Sequence, residues 1–425
     1  MLFGLVPALH ASRLDVTASL KAEDRGATAG RSSHRLRRLL LVSEIAVALL
    51  LSTGAGLMIR SLWNVRQVDP GFQPQNLLTL TVALNNSYQS DEQRIAFYQD
   101  ALARLRSLPG IQAASTADCL PITGTCWGSV FVIEGRPVPP RNQLLTSQWN
   151  IAGEDYFETM GIRRVRGRTF SRFDTPASGK VAVINEKAAR QFFPNEDPIG
   201  KRVKQGFPET PNPWREIVGV VADVKQNGLD AEQLPEIFLP FAQESRNREW
   251  VVLRTATGPG SYVPAVRGVI RELNKDLPVY GIRPMEELLT ESMAQRSFAM
   301  ALLAGFAGLA LLLAAAGIYS VIAYSVSQRT KEIGIRMALG AHRAHVVRMV
   351  VGEGMFTAGA GIAAGAAAAL GVTRLMRTLL FGVGTDDPLC YAAVAVLLGI
   401  VALTASYIPA RRATQIDPLI ALRHE

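Results

Sequence analysis

At 425 residues the chain is too long for one ordinary domain, and 48% hydrophobic residues with a mean hydropathy of +0.15 is more apolar than soluble proteins usually are. The formal net charge of +9 does not indicate nucleic acid, because the basic residues stand beside apolar blocks rather than over one face of a folded domain. Three cysteines are too few for a disulfide scaffold, and none has the paired spacing of a zinc site.

Residues 1–38 form a basic segment containing Arg25, Arg31, Arg35, Arg37 and Arg38. Within it, residues 7–21 (PALHASRLDVTASLK) align without a gap with residues 409–423 (PARRATQIDPLIALR), sharing the Pro-Ala pair, Ala11 with Ala413, Asp15 with Asp417 and Leu20 with Leu422. A repeat this distant equals a whole unit of spans plus soluble domain, so the chain is expected to begin where a preceding unit ends. The alternative is a chance likeness between two basic amphipathic segments.

The first span is placed at residues 39–60. Its apolar run LLLVSEIAVALLLSTGAGLMI would be about 31 Å long as a helix, against a hydrocarbon core of about 30 Å. It lies too far from the start for a cleaved signal and reads as a retained anchor. Residues 69–296 then read as an ordinary mixed α/β domain. Strands are expected at 77–84 and 217–221. A helix is expected at 91–108, with Ile95, Tyr98, Leu102 and Leu105 on one face and Pro109-Gly110 as its stop. Residues 181–193 read as a strand entering a helix that ends at Pro194, followed by the Asp197-Pro198-Ile199-Gly200 turn and a basic strand at 201–204. Cys119 and Cys126 are near enough in sequence to close a small loop in an oxidising compartment, or to stand as two independent thiols.

Nothing in this domain reads as catalytic. Residues 39–340 contain no histidine, no Gly-x-Ser-x-Gly elbow and no His and carboxylate set at metal spacing, and the sequence holds no phosphate-binding Gly-x-x-x-x-Gly-Lys-Ser/Thr loop.

Three more apolar blocks follow, at 297–326, 346–372 and 389–408. The first of these is too long for the bilayer alone, so its outer end is expected to continue as a stalk. Ala301, Gly305 and Gly308, and the pair Gly361 and Gly365, put small residues at helical spacing, which lets helices approach closely. Between the second and third spans, residues 327–345 hold a short amphipathic helix in which Ile333, Ile335, Met337 and Leu339 accompany Arg329, Lys331, Glu332 and Arg336, with Gly340 as its end. Such a helix can dock a partner or bind lipid headgroups. Two intramembrane carboxylates, Glu44 and Glu353, lie within two turns of the same boundary, where a functional role competes with snorkelling or helix capping. Arginine-rich segments at 1–38, 327–345 and 409–425 put both termini in the cytoplasm, and put 69–296 and the 374–388 turn outside. The fold class is therefore a multi-pass membrane protein: four transmembrane α-helices with an α/β domain on the periplasmic side between the first and second.

Several segments together resemble the MacB/FtsX-type ABC transporter permeases, over about residues 35–425. They are EIAVAL at 44–49, GLMIRS at 56–61, FFPNEDPIGKR at 192–202, IVGVVAD at 217–223, RTKEIGIRMALGA at 329–341, YIPARRA at 407–413 and Asp417-Pro418. With the internal repeat, the likeness narrows to the second half of the duplicated, acidobacterial-type permeases. The resemblance implies a MacB-like periplasmic core domain at 69–296 and an FtsX-like permease domain at 297–418. It also implies an ATPase-coupling helix using Arg329, Lys331, Glu332, Ile333, Gly334, Arg336, Leu339 and Gly340. On this reading the chain is no enzyme and binds no cofactor or metal; a separate cytoplasmic ABC ATPase carries ATP and Mg. The other partners implied are the membrane, a second permease half and, for export, a periplasmic adaptor. ATP hydrolysis would move the outer domain to expel an antimicrobial peptide, macrolide-like or lipoprotein cargo. The alternative is mechanical signalling to cell-wall hydrolases, or peptide sensing without transport. The resemblance also implies two lobes in the outer domain, one from residues 69–125 and 214–295, the other an inserted 126–213.

Overall fold

The computed structural model describes residues 29–339, 342–375, 377 and 380–415, so residues 7–21 and 416–423 of the repeat lie outside the described residues, as does Gly340. The chain divides into two compact units, Val65–Ser297 and the segments on either side of it.

In chain order, helix α1 (Ala29–Arg66) is followed by β1 (Leu77–Ala83), α2 (Asp91–Arg106), β2 (Ile111–Ala117), β3 (Trp127–Ile133), β4 (Leu145–Ala152) and α3 (Tyr156–Met160). Next come β5 (Arg164–Gly167), β6 (Val181–Asn185), α4 (Glu186–Phe192), β7 (Arg202–Gln205), β8 (Arg215–Val221), β9 (Glu236–Pro240) and β10 (Arg248–Thr255). The chain continues through α5 (Val263–Leu273), β11 (Val279–Pro284), α6 (Met285–Ser292), α7 (Ala294–Gln328), α8 (Thr330–Ala338), α9 (Arg343–Leu375) and α10 (Pro388–Ala413).

The outer unit has two lobes. In the first, β11, β1, β10 and β2 form an antiparallel sheet in that order. Helix α2 covers it, started by a capping box in which Ser90 Oγ accepts from Gln93 N while Gln93 Oε1 accepts from Ser90 N, each at 3.3 Å. The apolar period of α2 turns Tyr98, Leu102 and Leu105 into the core, and the Tyr98 hydroxyl donates to the Val82 carbonyl at 2.8 Å.

The second lobe follows the path β4-β3-β7-β8-β6-β9, and β9 then pairs back onto β4 in parallel, closing a six-stranded barrel. Closure removes the sheet's open edges. Its interior is aromatic: Trp149 is fully buried, edge-on to Phe131, which in turn meets Phe192 with ring centroids 4.9 Å apart. The barrel corrects the expected lobe division. Strands β8 and β9 satisfy their backbone groups against β4, β6 and β7, so residues 215–240 belong to the inserted lobe and only the chain from about β10 onward returns to the first. Segment order along a sequence does not reveal which strand edges pair.

Among the described residues the other unit holds four helices long and apolar enough to cross a membrane: Arg35–Arg66 of α1, then α7, α9 and α10. Helix α1 starts before and ends after the expected 39–60 span, and α7 begins at Ala294 and runs 35 residues, about 52 Å and well beyond a hydrocarbon core. Small and branched residues fill the seam between helices: Ile45 of α1, Ala314 and Ile318 of α7, Ala358 of α9 and Ala402 of α10 are all buried. Gly361 and Gly365 of α9 face α1; a Cβ on Gly365 would stand 2.8 Å from the Ala46 carbonyl oxygen. Close backbone approach through glycine stands in here for a hydrophobic drive that lipid surroundings do not supply.

Candidate functional site

The residues with most to coordinate lie around α8. Arg329 occupies its N-cap position, directly after α7, and the chain turns there so that α8 runs to Ala338 with Leu339 as C-cap. Ile333 is 4% exposed and packs into the buried core of the bundle, with Met337 partly buried beside it. Ile335 and Leu339 are 48% and 83% exposed. The apolar side chains of the expected amphipathic helix therefore divide between two faces. Residues four apart share a face of a helix, so Ile333 and Met337 point inward while Ile335 and Leu339 form a second, open pair. Glu332 and Arg336 are an i, i+4 ion pair on the exposed surface, and Arg336 Nη1 also reaches Met349 Sδ at 3.2 Å. Gly334 is buried, and the side chain of Lys331 lies outside the described residues.

Glu353, almost three turns into α9, is not a helix cap. One carboxylate oxygen accepts from Arg38 of α1 and the other from Arg329 Nη1 at 3.3 Å, so a single acid ties α1, α9 and the start of α8 together. Two more cation contacts flank it: the Arg37 guanidinium lies 4.3 Å from the Tyr324 ring centroid, and Arg412 donates to the Tyr319 hydroxyl at 3.1 Å. Sequence reading named Glu353 and Arg329 for separate reasons; nothing in their spacing pairs them. Glu44 stands apart from this cluster, half-buried against Gly317 of α7, where a side chain on that glycine would meet Glu44 Oε2 at 2.6 Å.

The outer unit holds a second group of polar side chains. Cys119 and Cys126 are joined as a disulfide, their Cα atoms 5.2 Å apart. Beside them Glu236, at the start of β9, is buried and accepts from Gln226 Nε2 at 2.8 and 2.9 Å and from Asn150 Nδ2 at 3.4 Å. Burial pushes its carboxyl up to about 7, with the Gln226 and Asn150 hydrogen bonds pulling the other way. Glu249 of β10 is also fully buried, and burial with the nearby Asp118 drives its carboxyl well above the usual range. The Arg246 backbone N–H and guanidinium pull the other way without offsetting the burial. The motif at 192–202 borders an open cleft of about 650 Å³ whose walls include Glu186, Arg190, Phe193 and Asn195.

The profile of the MacB-like periplasmic core domain family matches residues 46–273, and that of the FtsX-like permease C-terminal family matches residues 304–418. Similar proteins include the macrolide export ATP-binding/permease protein MacB of Hahella chejuensis, 24% identical over 443 residues, which cover 96% of this chain and 63% of that protein. The protein of the same name from Mannheimia succiniciproducens is 26% identical over 314 residues, covering 67% of this chain and 44% of that one. The chain thus spans less than two thirds of the length of either relative. Among solved structures, the periplasmic region of MacB from Actinobacillus actinomycetemcomitans aligns with 52% of this chain and 94% of its own, at 18% identity and a TM-score of 0.34.

Proposed function

We propose a function from one premise: the chain belongs to the family of permeases that carry a MacB-like periplasmic core domain and an FtsX-like permease segment. It is a multi-pass inner-membrane protein with a periplasmic domain. Its role is that of the permease subunit of an ABC-type complex, in which a separate cytoplasmic ATPase docks on α8 and drives movement of the outer domain to export a cargo of the peptide, macrolide or lipoprotein class. Both termini and α8 then lie on the cytoplasmic side, beside the arginines that the positive-inside rule places there.

The observation that carries this reading is the divided face of α8. Ile333 is anchored in the bundle, while Ile335 and Leu339 are presented outward between the Glu332–Arg336 pair and the end of the helix. A partner pressing on that open pair pushes a helix whose N-cap residue, Arg329, is tied through Glu353 to α1 and α9. The chain passes between the two units at residues 64–65 and 297–298, so α1 and α7 are the covalent routes by which movement of the spans reaches the outer unit. Export needs no channel through the spans on this mechanism.

The test replaces Glu332 and Arg336 together with alanine, and separately Leu339→Asp, in the full chain expressed in its own membrane. Both variants are expected to insert normally and to lose co-purification with the ATPase, or its stimulation. Retained stimulation in both would overturn the docking assignment.

A further inference from the structure

Cys119 follows β2, Cys126 precedes β3, and Glu236 opens β9, yet the two sulfurs and a Glu236 carboxylate oxygen all lie within 4.8 Å of one another. That is the span over which one tetrahedral cation gathers its ligands: zinc to sulfur is about 2.3 Å and zinc to carboxylate oxygen about 2.0–2.2 Å, which puts two sulfurs on one zinc about 3.8 Å apart. The cysteines have no zinc spacing along the chain, and the third donor comes from a strand far downstream.

The surroundings hold this corner in place whether or not the sulfurs are bonded. Asn150 brackets Cys119, accepting from its backbone N–H and donating to its carbonyl, each at 3.3 Å. The Ile122 N–H donates to the Lys225 carbonyl and the Gly124 N–H to the Gln226 carbonyl, each at 3.0 Å, so the loop between the cysteines is fixed to the segment leading to Glu236. Gln226 Oε1 lies 3.6 Å from Cys126 Sγ. Among the described residues, the hydrogen bonds that reach the Glu236 carboxylate come from amides alone, Gln226 and Asn150; a buried acid so held is poised to accept a cation. Cys119 and Glu236 are buried and Cys126 is half-buried, which leaves Cys126 as the side from which an ion approaches.

We propose that, with the disulfide reduced, Cys119, Cys126 and Glu236 bind one thiophilic divalent cation of the Zn²⁺ class, with the Gln226 side-chain oxygen as fourth ligand. A dithiol reductant opens the bond: its two thiols become a disulfide as Cys119 and Cys126 become thiols. The cation then takes the two sulfurs as thiolates, releasing two protons, and the Glu236 carboxylate as third ligand. Disulfide and metal complex are mutually exclusive, so the redox poise of the compartment selects between them.

The experiment uses the full chain in detergent with Cys390→Ser, which leaves Cys119 and Cys126 as its only cysteines. After reduction with a phosphine, Co²⁺ is titrated in and then displaced with Zn²⁺. The expected result is one Co²⁺ per chain, with thiolate-to-cobalt charge transfer and the intense visible bands of a tetrahedral centre, and with no such bands before reduction. Glu236→Gln, which keeps both thiols, is expected to weaken Zn²⁺ by at least about tenfold, a scale on which even residues supporting a metal ligand act. Cys126→Ser should abolish the bands, and alkylating the thiols of the folded, reduced chain should do the same, which covers the case in which that variant does not fold. A reduced chain that titrates two thiols and keeps its near-ultraviolet circular dichroism but gives no bands overturns the proposal. So does equal Zn²⁺ affinity in Glu236→Gln.

Discussion

Helices α1 and α9 meet through glycine, and alanine scanning of α9 should separate contacting glycines from open ones by sign. A Cβ on Gly365 would lie 2.8 Å from the Ala46 carbonyl oxygen and 2.9 Å from its Cα; one on Gly361 would lie 2.7 Å from Ile45 Cβ. Carbon atoms sit comfortably at about 3.5–4.0 Å, so α1 and α9 must part locally by about 1 Å to admit either methyl, and such a gap forfeits roughly a quarter to a half of the contact energy of the atoms around it. The contacted atoms are backbone or Cβ and cannot swing aside. Overpacking of this kind costs about 1–3 kcal/mol. Gly359 and Gly371, on the same helix, have nothing within 4 Å of an added Cβ, and alanine there gains helix propensity, up to about 1 kcal/mol as measured in water. Thermal denaturation of the full chain in detergent, followed by the loss of its monodisperse peak, should show Gly361→Ala and Gly365→Ala melting below the parent, and Gly359→Ala and Gly371→Ala level with it or above. If Gly365→Ala stabilises as Gly371→Ala does, the helices do not meet along these glycines and the packing argument fails.

Two further outcomes concern the outer unit and topology. Because burial raises the Glu249 carboxyl above its unfolded value, the group favours the folded state most at low pH, and that contribution is lost as pH rises from the ordinary carboxylate range through the raised value. Glu249→Met removes this linkage and a fully buried carboxyl, so it should stabilise the outer unit by about 1–3 kcal/mol at pH 8 and by less at pH 4, read by the fluorescence of Trp127, Trp149, Trp214 and Trp250; equal gains at both pH values would refute it. For topology, in a Cys390→Ser background, Gln99→Cys on α2 should react with an impermeant maleimide in intact spheroplasts and Leu339→Cys only after permeabilisation, and the reverse pattern would invert the assigned orientation.

The membrane spans, the inserted α/β domain and α2 were legible in the sequence because each depends on neighbours in the chain: an apolar run of bilayer length, the 3.6-residue recurrence of Ile95, Tyr98, Leu102 and Leu105, the Ser90 cap and the Pro-Gly stop. The FtsX-like and MacB-like identity came through for the same reason, since its marks are short contiguous runs. Other features depend on residues far apart in the chain. Closing the barrel by pairing β9 with β4, and so moving residues 215–240 into the inserted lobe, depends on which strand edges were left to pair. Local period gave α8 an apolar character, but only packing against the bundle decided that Ile333 is covered and that Ile335 and Leu339 are open. The junction of Arg38, Arg329 and Glu353, and the convergence of Glu236 on Cys119 and Cys126, join residues whose separation along the chain carries no signal. Local propensity and hydropathy act over a few residues and can be read from order alone, whereas burial and charge pairing are settled by which distant surfaces the folded backbone brings together.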